Sequence, residues 1–246
     1  MKTYDRTQNT YLRFFAILLI IFTVFVSVPP IEAYADDAYE TTATAAIVVN
    51  TTRDMVLYEK DADKQVYPAS TTKVLMALVV SDSIKEGKYS LEDTFAAYDD
   101  LYFDIPWDGS TEYIQPGEIM TVDDYLHCAL MSSANEACNA LAVFDSGDVD
   151  KFVEKMNEKV AELGCTNSHF SDAHGIHHDD HYTTAREMYL IFRAALEDPI
   201  VGSVVTTREY VVPETNMSEE RELYNTNMLI QPDKPLCFGR QDRIYR

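Results

Sequence analysis

Apolar and polar residues follow one another along the chain in blocks of changing period. Ala45 to Asn50 (AAIVVN) and Met55 to Glu59 (MVLYE) are short β-prone runs joined by Thr51-Thr52-Arg53-Asp54, which predicts a hairpin. From residue 70 to 86 the period becomes helical. Val74, Leu75, Leu78 and Val79 fall on one predicted stripe, and Gly87 closes the helix. Residues 90 to 120 carry no long period, and Gly109, Pro116 and Gly117 mark loops. Thr121-Val122-Asp123-Asp124 has the form of a capping box and opens a helix to about Met131. Ser132 and Ser133 interrupt it. A second helix follows over roughly 135–145 with Ala137, Ala140, Leu141 and Phe144, and a third over 149–163 with Phe152, Met156, Val160 and Leu163. Gly164 is its C-cap. Thr184-Ala185-Arg186-Glu187 reads as a full capping box starting a helix to Leu196, which stops near Pro199. Val204 to Val212 reads as extended. Helices segregated from a hairpin predict an α+β fold.

The N-terminus has a different grammar. Lys2, Arg6 and Arg13 precede an apolar run of 15 residues, Phe14 to Val28. Pro29, Pro30 and the small-residue pattern Ala33-Tyr34-Ala35 follow. This predicts an export signal over 1–35, too short for a membrane span of ~20 residues, with the body of the protein outside the cytoplasm. The expected mature domain is 36–246. Removing three basic and two acidic residues from 20 and 41 leaves 17 and 39, a net charge of −22. Such a surface repels nucleic acid and anionic lipid, which argues against a polyanionic ligand and otherwise speaks mostly to solubility. Cys128, Cys138, Cys165 and Cys237 form no metal-type C-x-x-C pair. Cys128 and Cys138 read as small core residues, and export leaves the pairing of all four open.

Two short motifs carry chemistry. Ser70-Thr71-Thr72-Lys73 opens the first apolar helix. Residues i and i+3 share a helix face, so the Lys73 amine can reach the Ser70 hydroxyl. Serine is a weak nucleophile until a neighbouring base takes its proton. Lysine is such a base only where burial lowers its pKa. The same step also reads as a capped helix with a solvated lysine. The second motif, Ser133-Ala134-Asn135, falls between two apolar helices. Its hydroxyl can relay a proton and its carboxamide can hold a peptide backbone and the lysine. Alone it also reads as an N-cap and a loop residue.

Order and spacing join the motifs. Together with Leu57-Tyr58-Glu59-Lys60, Tyr67-Pro68-Ala69, Pro116-Gly117-Glu118, Glu136-Ala137, Asp172-Ala173-His174-Gly175-Ile176, His181 to Glu187 and Asn225-Thr226-Asn227, they make residues 45 to 230 resemble the penicillin-binding D-alanyl-D-alanine carboxypeptidases of the S11 peptidase family. The resemblance implies a β-lactamase/transpeptidase-like serine hydrolase fold, a helical lobe with an incomplete antiparallel sheet. It implies an acyl-enzyme on Ser70, Lys73 as base, Ser133 as proton relay to the leaving D-alanine and Asn135 as the substrate-amide ligand. The implied substrate is a peptidoglycan stem peptide ending in D-Ala-D-Ala. β-Lactams are the implied covalent inhibitors. Neither metal nor organic cofactor is implied, and a full-length form would associate peripherally with the membrane.

The chain departs from the family in one place. The family's third motif, Lys-Thr-Gly on a strand lining the cleft, does not occur in this sequence. After Asn225-Thr226-Asn227 the chain runs to a basic tail ending at Arg246. The expectation is a C-terminally incomplete catalytic domain with little carboxypeptidase activity. Two rival readings remain. One is an inactive pseudoenzyme. The other is a class A-type β-lactamase, against which Ala134 stands where that class carries aspartate. His174, His177, His178 and His181 with Asp179 and Asp180 have metal-ligand chemistry. The resemblance instead makes this stretch a loop ending at a helix cap, with His174-Gly175 as a turn.

Overall fold

The computed structural model describes residues 41–230. Chain contacts separate a unit ending at Thr42 from a second unit, Ala43–Arg246, and every element below belongs to the second. The expected signal over 1–35, Cys237 and the basic tail lie outside the described residues.

Strand β1 (Ala46–Asn50) pairs antiparallel with β2 (Met55–Lys60), with an irregularity in register between Val48 and Val49. The connecting turn forms because the Asn50 Oδ1 accepts from the Thr52 and Arg53 amides. A 3₁₀ turn, Ala69–Thr71, leads into helix α1 (Thr72–Lys85). The single apolar stripe expected from the sequence is not what the helix shows, since every residue from Thr72 to Ser81 is buried. A helix buried all round belongs in a core, and α1 is packed by the five other helices among the described residues. Truncating Leu75, which is fully buried, carries a cost of about 2–5 kcal/mol.

β3 (Thr94–Ala96) and β4 (Ile119–Thr121) form a short antiparallel ribbon at the two ends of the 97–118 segment. Neither strand was legible in a stretch without period. Thr121 caps α2 (Val122–Met131) with a complete capping box to Asp124. Helix α3 (Asn135–Ser146) ends at Gly147, whose φ of +75° is the left-handed cap conformation that glycine adopts without strain. Asp148 then caps α4 (Val149–Glu162) through the Asp150 and Lys151 amides.

Helix α5 (Ala185–Glu197) starts at Thr184, which accepts from the Glu187 amide. The expected reciprocal half of this capping box is not made. The Glu187 carboxylate turns instead to the Thr166 and Asn167 amides and the Ser168 hydroxyl, tying a loop to the helix. The expected extended run from Val204 is also corrected. Asp198 accepts from the Ile200 and Val201 amides, Pro199 sits at the first helical position, and α6 (Pro199–Thr206) follows. The buried Val201 and Val204 lock it against the core. Only then does β5 (Glu209–Val212) pair antiparallel with β6 (Arg221–Tyr224). Three two-stranded antiparallel sheets beside the helices make the described residues α+β. Among the described residues no helix is long and apolar enough to cross a membrane.

Candidate active site

Four side chains named from the sequence meet at the N-terminus of α1. The Lys73 side-chain nitrogen lies 3.1 Å from Ser70 Oγ, 2.7 Å from Asn135 Oδ1 and 2.7 Å from the His174 carbonyl oxygen. Ser133 Oγ lies 3.0 Å from Ser70 Oγ. Ser70 is exposed, Ser133 is half-buried and Lys73 is 2% exposed. The reactive oxygen therefore faces solvent while the amine sits behind it in the protein.

This geometry bears on protonation. Two of the three acceptors around Lys73 are carbonyl oxygens, which can accept but never donate. A neutral amine has two hydrogens and one lone pair. With both hydrogens on Asn135 Oδ1 and the His174 carbonyl, the lone pair is left for Ser70, whose hydroxyl can donate to it. Burial pushes the Lys73 pKa below its ordinary value, while Asp172 and Glu136 oppose that shift. The neighbouring Cys138 thiol is pushed up to about 12 by burial, so it is uncharged at neutral pH.

Backbone strain concentrates here. Ala69 and Ser133, the residues beside and across from Ser70, have φ of +49° and +62°. For residues with a Cβ this conformation costs of order 1–2 kcal/mol each, and it persists where the surroundings over-determine it. Ser133 serves as no N-cap. Ala134 takes that position, and Asn135 is the first residue of α3 rather than a loop residue. Gly175 explains part of the pinning at Ala69. A Cβ on Gly175 would stand 1.9 Å from the Ala69 oxygen and 2.9 Å from Thr72 Oγ1, and its φ is +94°. Only glycine lets the 172–176 turn lie on the Ser70 segment.

The other wall is the 101–114 loop, held by the first turns of α3. The Asn135 amide donates to the Ser110 carbonyl. The buried Glu136 carboxylate accepts from the Thr111 hydroxyl and the Glu112 amide at 2.6 and 2.7 Å. One turn on, Asn139 Nδ2 donates to the Leu101 carbonyl and to Asp104. Neither Glu136 nor Asn139 is legible as an anchor from the sequence alone. Their spacing from Asn135 along one helix is the signal that was available.

The histidine cluster divides. His177 and His178 are exposed, whereas His174 and His181 are buried and converge on Asp172. His181 Nε2 meets Thr72 Oγ1 at 2.8 Å. His174 Nε2 meets Asp104 Oδ2 at 2.9 Å. Burial pushes the Asp172 carboxyl up, but its hydrogen bonds with both imidazoles outweigh this and hold it well below the usual range.

The sequence profile of the D-alanyl-D-alanine carboxypeptidase family, peptidase S11, matches residues 32–238. The chain is 31% identical over 189 residues to the D-alanyl-D-alanine carboxypeptidase DacF of Bacillus subtilis, covering 77% of this chain and 48% of the relative. It is 31% identical over 208 residues to DacA of Escherichia coli, covering 79% and 51%. The chain thus spans about half the length of these curated relatives. Among solved structures, penicillin-binding protein 5 of Haemophilus influenzae superposes with a TM-score of 0.71 at 26% identity, covering 79% of this chain and 55% of that one. A mutant of the Streptomyces K15 DD-transpeptidase superposes at 0.72 with 25% identity, covering 79% and 78%. The serine–lysine pair at the start of a buried helix, the strained serine opposite it and these similarities agree, and the chain belongs to the D-alanyl-D-alanine carboxypeptidase family of S11 peptidases.

Proposed function

We propose that the protein is a serine-type D-Ala-D-Ala carboxypeptidase acting on peptidoglycan stem peptides through an acyl-enzyme on Ser70. The observation that carries this reading is the Lys73 amine, buried and 3.1 Å from Ser70 Oγ, with two carbonyl oxygens at 2.7 Å holding it in place. In the proposed reaction the Lys73 lone pair takes the Ser70 proton as Oγ attacks the peptide carbonyl. The Ser133 hydroxyl, 3.0 Å from Ser70 Oγ, passes a proton to the departing D-alanine. Asn135 holds Lys73 by its Oδ1 and offers its amide nitrogen to the substrate backbone. Water then hydrolyses the Ser70 ester and regenerates the hydroxyl. No step calls on a metal or organic cofactor. β-Lactams, which present a strained carbonyl in place of the D-Ala-D-Ala bond, would acylate the same oxygen. The N-terminal pattern supports export, which would put this site on the cell-wall side of the membrane.

A second reading keeps acylation and loses turnover. One experiment separates the two. The protein is treated with a fluorescent penicillin, and D-alanine release from a D-Ala-D-Ala peptide is measured in parallel. The first reading predicts covalent labelling and D-alanine release, both lost in Ser70→Ala. The second predicts labelling alone. Lys73→Ala should slow labelling by roughly three orders of magnitude or more, since nucleophile and base act as a unit. Labelling that survives Ser70→Ala overturns both.

A further inference from the structure

The mechanism above uses only the backbone carbonyl of His174. Its side chain is 1% exposed and lies between two carboxylates, with Nε2 2.9 Å from Asp104 Oδ2 and Nδ1 3.1 Å from Asp172 Oδ1. These carboxylates come from different segments and contact opposite nitrogens of the ring. Asp104 belongs to the 101–114 loop and is held by Asn139 on α3. Asp172 belongs to the turn that carries Gly175. It accepts from the backbone amides of His174 and Gly175 and contacts His181, which in turn meets Thr72 on α1. The ring is thus fixed to three elements that frame Lys73, and its own carbonyl is one of the two hydrogen acceptors of that amine.

We propose that His174 is a positioning residue for Lys73. Clamped between Asp104 and Asp172, its ring fixes the carbonyl that orients the amine, and its positive charge offsets the carboxylates that would otherwise hold that amine as ammonium.

The charge balance follows from the groups present. Asp172 and Glu136 act on Lys73 to keep its proton. Asp104 adds a further carboxylate on the far side of the His174 ring. Burial disfavours a charged His174 ring, but the hydrogen bonds to Asp104 and Asp172 outweigh it and raise the pKa. The Ile176 amide also lies 3.2 Å from Nδ1, so a neutral ring exchanges its Asp172 contact for a backbone one. A protonated ring therefore cancels part of the negative field that reaches Lys73 from the 172–176 turn. Removing that positive charge favours the ammonium, raises the Lys73 pKa and moves the onset of base activity to higher pH. The inference rests on Lys73 being the base of acylation.

The test is the rate of acylation of the full-length protein by a fluorescent penicillin as a function of pH, for wild type, His174→Gln, Asp104→Ala and Lys73→Ala. His174→Gln should shift the low-pH limb upward by about half a pH unit or more, with a threefold or greater loss near pH 7. A loss that is uniform across pH, or no loss at all, overturns the proposal, because a merely structural turn residue would not move the limb. Asp104 lies in a loop and is partly exposed, so Asp104→Ala covers the case in which His174→Gln does not fold. It should lower the plateau rate above the limb several-fold as the ring loses one of its anchors, and an unchanged plateau overturns the clamp. Lys73→Ala separates this inference from the one beneath it. Labelling of Lys73→Ala at the wild-type rate overturns the base assignment and the inference with it. A normal dependence on Lys73 with an unmoved limb in His174→Gln overturns the positioning role alone.

Discussion

At the scale of single residues, the site depends on close approaches as much as on its reactive groups. Gly175 lies where any side chain would collide with the Ala69 carbonyl, one residue before the exposed Ser70 hydroxyl. Gly175→Ala must therefore move either the 172–176 turn or the Ser70 segment. Both carry a group that Lys73 contacts, the His174 carbonyl and the Ser70 hydroxyl. A displacement of ~1 Å in such a constellation can cost 10²-fold in rate. Gly175→Ala is expected to slow penicillin acylation by at least tenfold while far-ultraviolet circular dichroism stays close to wild type. Wild-type acylation in this variant would show that the turn and the Ser70 segment are independent. Ser70, Lys73, Ser133 and Asn135 could all be named from the sequence, because two short motifs encode them. Gly175's role could not, since the clash is with a residue 106 positions away in the chain.

At the scale of elements, buried charge decides how the helices are joined. Asp145, at the end of α3, has a fully buried side chain and takes hydrogen bonds or ion pairs from Lys155 on α4, the Lys88 ammonium and the Tyr89 hydroxyl. Burial pushes its carboxyl up, but the hydrogen bonds from Lys155, Ser146, Ser83 and Tyr89 outweigh this and hold it down to about 2. A carboxyl whose folded pKa is depressed contributes stability that is fully present above the unfolded value, near 4, and lost as pH falls through the folded value. The melting temperature of the wild type should therefore drop between about pH 4 and pH 2. Asp145→Asn should start lower at neutral pH, by roughly 2–3 kcal/mol, because the lysine ends are partly exposed and the amide keeps some hydrogen bonds. It should also lose less over the acid range. Parallel curves for the two proteins would rule out Asp145 as the titrating link. The same scale shows where sequence patterning misleads. The expected capping box at Thr184 is half-made because Glu187 has better partners in the 166–168 loop. The extended reading of 204–212 overlooked Asp198 as a shared cap. One carboxylate accepts from two α6 amides and from Ser81 of α1, which makes a helix where β-branched residues alone suggested a strand.

At the scale of the whole molecule, the fold class and the order of helices α1 to α5 were legible because their apolar periods are long, whereas the short α6 was not. The ribbon β3–β4 was not, because each strand is three residues long and pairs across an aperiodic loop. The wall of the cleft was not either, since the anchors at Glu136 and Asn139 act on loop residues more than 20 positions upstream. The burial of Lys73 is the property on which the functional reading turns, and it arises only when α1 is enclosed on all sides. A solvated lysine at the same spacing would be a cation with no basic role. The most direct test of that reading locates the covalent adduct. The full-length protein is reacted with benzylpenicillin, digested with trypsin and analysed by mass spectrometry. The account predicts one penicilloyl group per chain, carried by the peptide Gln65–Lys73 and assigned by fragmentation to Ser70. An unmodified Gln65–Lys73 peptide alongside an adduct elsewhere, or no adduct at all, would contradict it.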